Sequence, residues 1–254
     1  MSQRATDVLS EVEAVAGYIT YIDLIRPLIG AKQVIATTMT REVDRVAAAI
    51  DIALSGRSCA IVSSGDPGIY AMAGLAFEMC REKKIALSPP GTEAYGGVSH
   101  SGKQLQVEVV PGIPALCAGA ALLGAPLTHD FAVISLSDLL TPWETIEKRL
   151  AAAAAADFVI VLYNPKSRRR SGHLEKAQKI VLQSRARRTP VGIVRRANRK
   201  GQTVVFCDLE DLHRADVDMQ TIVFIGSSTS VRYLDFMVTP RGYAAKYTMD
   251  GNST

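Results

Sequence analysis

The sequence predicts an α/β fold built as two α/β domains, and three observations carry that prediction. Short apolar runs such as Cys59–Val62 alternate along the whole chain with segments of helical periodicity. One of them, Cys59-Ala60-Ile61-Val62, passes through Ser63-Ser64-Gly65-Asp66-Pro67-Gly68-Ile69-Tyr70 into a helical stretch. That is the strand, sharp turn and helix from which parallel sheets are assembled, and ligands gather at such strand ends. Midway, Pro111-Gly112-Ile113-Pro114 forms a stiff connection and divides the chain into domains at 1–110 and 111–245, with a tail at 246–254.

The elements follow in order. Residues 4–16 place Val8, Leu9, Val12 and Ala16 on one helical stripe. Gly17-Tyr18 breaks it, a second helix runs over 20–28, and Gln33–Thr37 is a strand. Thr40 caps a helix reaching residue 55, with Glu42 and Asp44 in its first turn, where negative charge suits the helix dipole. After the central strand and turn, residues 69–82 carry Met72, Leu75, Ala76 and Met79 at helical spacing. Residues 88–104, rich in glycine, proline and serine, read as a loop, and 105–110 as an alternating strand.

The second half opens with a helix over Ala115–Leu123 and a strand over 131–136. Thr141-Pro142-Trp143-Glu144 reads as a capping box with threonine as the cap. Its helix contains the alanines 151–156, and 157–163 is a strongly apolar strand. A helix over 174–183, strands over 190–194 and 203–207, a short helix capped by Asp208 and a last strand over Thr221–Ile225 follow. Residues 237–243 show no regular period.

With 48% hydrophobic and 21% charged residues in 254, the chain has the composition of a globular protein rather than a disordered one. Its net charge of +4 fits an anionic ligand and does not call for nucleic acid, because no basic cluster is interleaved with aromatics. Cys59, Cys80, Cys117 and Cys207 lie far apart without a Cys-x-x-Cys pair, so reduced thiols in a cytoplasmic protein are expected, with Cys59 and Cys117 in the core. His100, His129, His173 and His213 are scattered, and no metal site is expected. Neither a membrane span nor a signal peptide is indicated.

Chemistry concentrates at four strand ends: Ser64-Gly65-Asp66-Pro67, Pro111-Gly112-Ile113-Pro114, Ser135-Leu136-Ser137-Asp138 and Tyr163-Asn164-Pro165. The glycines let backbone approach a ligand, and Asp66 can accept from an amine or a ribose hydroxyl; Asp-Pro-Gly is equally a good turn sequence. Lys166, Arg168, Arg169 and Arg170 can pair with carboxylates or simply form a solvated basic turn, while Arg195, Arg196, Arg199 and Lys200 read as surface. Tyr70 and Tyr163 read as packing residues. Periodicity and turn chemistry by themselves stop at a small-molecule-binding α/β protein.

Those four strand ends, with Pro126-Leu127-Thr128-His129-Asp130-Phe131 and Val238-Thr239-Pro240-Arg241-Gly242-Tyr243, resemble the tetrapyrrole methylase family, the S-adenosylmethionine-dependent enzymes of corrin and sirohaem synthesis. The resemblance spans nearly the whole chain in order. It implies two α/β domains with a ligand cleft between them, the methyl donor folded into that cleft and a tetrapyrrole beside it. It also implies a homodimer. Donor contacts carry over to Ser64, Gly65, Asp66 and Ile69, to Pro114 and Ala115, and to Asn164 and Ala197. The implied reaction is methylation at C17 of precorrin-3B or its cobalt analogue with ring contraction, on the way to cobalamin. Methylation of another ring position, and an inactive S-adenosylmethionine or tetrapyrrole binder, are the alternatives. The family opens with a strand ending in Gly-x-Gly-Pro-Gly. This chain is expected to begin at the helix after it, which leaves the first domain without its first strand.

The sulfonium donor is already activated and a reduced tetrapyrrole carbon is nucleophilic, so alignment matters more than covalent help from the protein. A base serves only to remove a proton or assist contraction, and Asp66, His129, Asp130 and Asp138 are the candidates. For His129, pairing with backbone or with Asp130 is an equal reading. The substrate that the resemblance implies is a polycarboxylate, for which Lys166, Arg168 and Arg169 are the expected partners.

Overall fold

Three short strands set the frame of the first half: β1 (Ala14–Tyr18), β2 (Gln33–Thr37) and β3 (Cys59–Val62) pair in parallel in the order β2-β1-β3. The structure, a computed structural model, describes residues 1–92, 102–167 and 170–247. The chain divides into two compact units, Met1–Pro114 and Ala115–Thr254.

In the first unit, helices α1 (Gln3–Glu11), α2 (Ile19–Ile29), α3 (Glu42–Leu54) and α4 (Met72–Glu82) accompany the sheet, and β4 (Ala86–Ser88) pairs in parallel with β5 (Gln104–Gln106). The single helix expected over 4–16 is thereby corrected. The α1 helix stops at Glu11, and Ala14-Val15-Ala16 is the central strand, fully buried between two neighbours. Its register is locked by Glu13 and Ser58: the Glu13 amide donates to Ser58 Oγ at 3.1 Å and the Ser58 amide to Glu13 Oε2 at 2.9 Å. A Cβ on Gly17 would sit 2.8 Å from Ile22 Cδ1, so glycine lets α2 fold down onto the strand it leaves without displacing that side chain. The core here is Leu9, Val12, Val15, Ile22 and Ile29, with Val46, Ile50, Cys80 and Ile85 forming a second cluster.

Three further expectations are corrected in this unit. Thr40 does not cap α3: it sits at φ 67, its hydroxyl donates to its neighbour Met39's carbonyl at 2.6 Å, and Arg41 is the boundary residue. The fourth helix begins at Met72 rather than 69, because Tyr70 holds a left-handed φ of 50. The strand after the loop ends at Gln106. Beyond it the chain turns to α1, where Arg4 grips Glu108 at 2.8 and 2.5 Å and Ser2 Oγ donates to the Pro111 carbonyl at 3.1 Å. The glycine-rich stretch 93–101, with His100, lies outside the described residues.

The second unit is built on five strands in the order β10-β9-β11-β8-β7. After α5 (Ala115–Leu123) and β6 (Gly124–Ala125) come β7 (Phe131–Ser135), α6 (Trp143–Ala155), β8 (Val159–Tyr163), α7 (His173–Val181), β9 (Pro190–Arg195), β10 (Thr203–Asp208) and, past a 3-10 turn at Leu209–Arg214, β11 (Thr221–Ile225). Strands β7 and β8 are parallel, and β11 runs antiparallel to both β8 and β9. Strands β7, β8 and β9 therefore point the same way and release their carboxyl ends at one edge. Ile160, Leu162, Val191, Ile193, Val223 and Ile225 meet Leu150, Ala153, Ala177 and Val181 from α6 and α7 in the core.

Here too some local signals mislead. Thr141 is one residue too early to cap α6, whose boundary is Pro142, and Asp208 makes no side-chain cap. The stretch read as aperiodic holds β12 (Val231–Tyr233), β13 (Phe236–Val238) and α8 (Tyr243–Lys246), with β13 against β6. All four cysteines are free, but Cys117 is exposed on α5 rather than in the core.

Candidate functional site

In the first unit the glycine turn leaves β3 and is fastened by its own aspartate. Asp66 Oδ1 accepts the Gly68 amide at 2.8 Å, and Asp66 Oδ2 accepts the Gly112 amide at 3.0 Å. A single carboxylate thus closes its own turn and ties it to Pro111-Gly112-Ile113-Pro114, 46 residues on. The approach is so close that a Cβ on Gly112 would lie 1.9 Å from the Gly65 carbonyl oxygen. Gly65 itself is exposed at φ 78, presenting backbone rather than side chain at the strand end. Ile69, whose amide reaches Asp66 O at 3.3 Å, and Ser64 are half-buried beside it.

The expected donor residues of this unit, Ser64, Gly65, Asp66, Ile69 and Pro114, therefore lie on two segments that the Asp66 carboxylate joins. Both its oxygens are engaged by amides, which suits a positioning role better than proton transfer. Sequence reasoning missed Arg45. It is only 3% exposed, and it donates to Thr37 Oγ1 at 2.8 Å and to the Thr38 carbonyl at 3.3 Å, fixing the carboxyl end of β2. A charged residue on the apolar side of α3 was the available signal.

In the second unit the strand topology brings Ser135, Asn164 and Ala197 to one sheet edge. Asn164 follows β8 with φ 54, and its amide Nδ2 donates to Ser135 Oγ at 2.9 Å. The same hydroxyl accepts the Ser137 amide at 3.2 Å, and the Leu136 amide donates to the Tyr163 carbonyl at 2.9 Å. Tyr163 is more than packing: its hydroxyl accepts the Leu116 amide at 2.9 Å and so pins the start of α5, where Ala115 stands. Ala197 is half-buried two residues past β9, between Arg196 at φ 51 and Asn198 at φ 57. Non-glycine residues in this region each cost about 1–2 kcal/mol, and such backbone clusters at functional sites.

The other three candidate bases, His129, Asp130 and Asp138, are divided between the two ends of β7. His129 and Asp130 precede β7, at the opposite end from Ser135, and the strand between spans about 13 Å. His129 Nδ1 accepts the Asp130 amide at 2.8 Å, the local pairing that was the alternative reading. Asp138 does lie past the carboxyl end of β7. The hydrogen bond from His173, at 2.9 Å, holds its carboxyl below the ordinary aspartate range, which makes it a weak base.

Of the expected carboxylate partners, Lys166 is half-buried on the turn after Asn164, and Arg168 and Arg169 lie outside the described residues. Arg170 is committed within the protein, to Ser167 Oγ at 3.2 Å and Asp138 at 3.9 Å. Arg195 is paired with Asp218 at 2.7 Å. Among the described residues no group of three His, Cys, Asp or Glu side chains could hold a metal ion, and no helix is long and apolar enough to cross a membrane.

A family model described as Tetrapyrrole (Corrin/Porphyrin) Methylases matches residues 1–213. The chain is 44% identical over 243 residues to a protein of Salmonella typhimurium named probable cobalt-factor III C(17)-methyltransferase, covering 96% of this chain and 93% of that one. It is 45% identical over 250 residues to the cobalt-factor III methyltransferase of Priestia megaterium, covering 98% of this chain. This chain spans 44% of the length of that second relative. Among solved structures, the methyltransferase CobJ superposes with a TM-score of 0.80 at 32% identity, over 94% of this chain and 93% of that one.

Proposed function

Because the chain belongs to the tetrapyrrole (corrin/porphyrin) methylases, we propose that it is an S-adenosylmethionine-dependent methyltransferase that methylates C17 of precorrin-3B or its cobalt counterpart, with ring contraction, in cobalamin biosynthesis. The observation that carries this reading is the 44% identity to the Salmonella protein named for that reaction, over nearly the full length of both. The cobalt-bearing substrate in that name favours a cobalt-bearing acceptor. A homodimer in the cytoplasm belongs to the same proposal, on the family resemblance, and sedimentation velocity tests the dimer.

The residues present suit the donor. Gly65 offers exposed backbone at a strand end, Ala115 and Ala197 leave space, and Asn164 spends one amide hydrogen on Ser135 while keeping its carbonyl and second N–H. When bound, S-adenosylmethionine supplies a methyl group on a cationic sulfur, ready for displacement. The protein's part is to hold acceptor carbon and methyl in line. Ser64, Gly65, Asp66, Ile69, Pro114, Ala115, Asn164 and Ala197 are the residues that would contact the donor. Asp66 acts by clasping its turn to Gly112, and Lys166, Arg168 and Arg169 receive substrate carboxylates. Incubation with cobalt-factor III and methyl-labelled S-adenosylmethionine tests the reading. Label at C17 of a contracted ring is expected; no transfer, or label on another ring carbon, overturns it.

A further inference from the structure

Past Asn164, the Ser167 amide donates to the Arg170 carbonyl at 3.2 Å and the Arg170 amide donates to Ser167 O at 3.1 Å. Arg170 Nε also donates to Ser167 Oγ at 3.2 Å. Arg170 and His173 both meet Asp138, from the loop that leaves the neighbouring parallel strand. Asp138 Oδ2 lies 2.9 Å from His173 Nε2, and Oδ1 lies 3.9 Å from Arg170 Nε. His173, with a side chain 14% exposed, is the first residue of α7 and is held from behind by Trp143, whose ring it meets edge-on at 4.8 Å. Lys176 covers that indole at 5.3 Å. The loops after β7 and β8 are thus joined twice, at their root by Ser135 and Asn164 and at their tips by Asp138, His173 and Arg170.

We propose that His173 is a positioning residue which, through Asp138 and Arg170, fixes Ser167 and so the setting of the Asn164 amide three residues before it. This rests on the donor-binding role given to Asn164 above. The root contacts hold Asn164 and Tyr163 but leave Ser167 free to move against the loop after β7. The tip contact is charge-assisted and braced by an aromatic wall, so it removes that freedom before a ligand arrives. Asp138 then serves as an anchor for His173 rather than as a base.

The test compares the intact chain with His173→Ala, His173→Gln and Asp138→Asn. In the ligand-free protein, amide exchange at Ser167 is expected to quicken about tenfold in His173→Ala and to return most of the way in His173→Gln, whose amide still reaches Asp138. The emission of Trp143, the chain's single tryptophan, reports the departure of the imidazole. In titration with S-adenosylhomocysteine, the dissociation constant is expected to rise about tenfold in His173→Ala and less in His173→Gln. KM for the donor is expected to move more than kcat. Unchanged Ser167 exchange in a folded His173→Ala overturns the inference, as does an unchanged dissociation constant. If His173→Ala does not fold, His173→Gln and Asp138→Asn decide by the same readings. If the unaltered chain fails to bind S-adenosylhomocysteine, the proposed function fails, and Ser167 exchange alone decides whether His173 fixes Ser167.

Discussion

Replacing Gly112 by alanine probes the join between the two loops of the first unit. The added methyl would meet the Gly65 carbonyl oxygen at 1.9 Å, its carbon at 2.9 Å and Asp66 Cα at 3.3 Å, all backbone atoms with no rotamer to escape through. Relief requires the two segments to part by more than 1 Å, roughly the gap to ordinary contact. That movement breaks the 3.0 Å bond from the Gly112 amide to Asp66. Losing a hydrogen bond to a charged group costs about 1.5–3 kcal/mol, and forced backbone displacement about 1–3 more. A loss of about 2.5–6 kcal/mol follows, read in urea unfolding as a lower midpoint with an unchanged slope. The donor analogue S-adenosylhomocysteine is expected to bind more weakly in parallel. Asp66→Asn removes part of the same contact, so the double variant should be less destabilised than the two single losses added together. A Gly112→Ala chain that unfolds within about 0.5 kcal/mol of the unaltered one would refute the reasoning.

Other outcomes follow from the same structure. Gly17→Val should cost about 2–3 kcal/mol by thermal unfolding, because its methyls drive Ile22 off β1, while Gly17→Ala should cost less since the opposing atom is a side-chain tip at 2.8 Å. Arg185 is buried, donates to the Ala154 and Phe158 carbonyls and pairs with Asp157 at 2.8 Å, so Arg185→Met should lose about 2–4 kcal/mol in the same assay. Burial raises the Asp157 carboxyl, but hydrogen bonds from Ser228 and the charge of Arg185 more than offset it and leave it below the ordinary value of 3.8. A lowered folded value means stability that is complete above 3.8 and lost as pH falls through the folded value, so Asp157→Asn should flatten the acid limb of a stability–pH curve. His129→Ala should keep methyl transfer within about twofold in steady-state assays, since His129 lies at the far end of β7 from Ser135.

The sequence made the glycine turn, most strands and the strand-end residues legible, because turn chemistry and apolar runs are local. Its failures share one cause. Val8, Leu9, Val12 and Ala16 satisfy a helical period, yet Ala14-Val15-Ala16 becomes a strand because β2 and β3 flank it, and no local residue announces those partners. Thr40 carries the right hydroxyl for a cap, but a left-handed backbone turns it toward Met39. At the site, Asp66 and Asn164 stood out by their turns. The roles of Tyr163, Ser135 and His173 depend on contacts 29 to 47 residues away and were invisible until β7 and β8 were seen side by side.

Calorimetric titration of the purified chain with S-adenosylhomocysteine puts the central claim, that these strand-end loops hold a sulfonium donor, to its most direct test. Saturable binding at one site per chain is the predicted result, weakened about tenfold or more in Asn164→Gly, which removes the amide without straining the positive φ. No heat of binding in the folded chain, or equal affinity in Asn164→Gly, would contradict it.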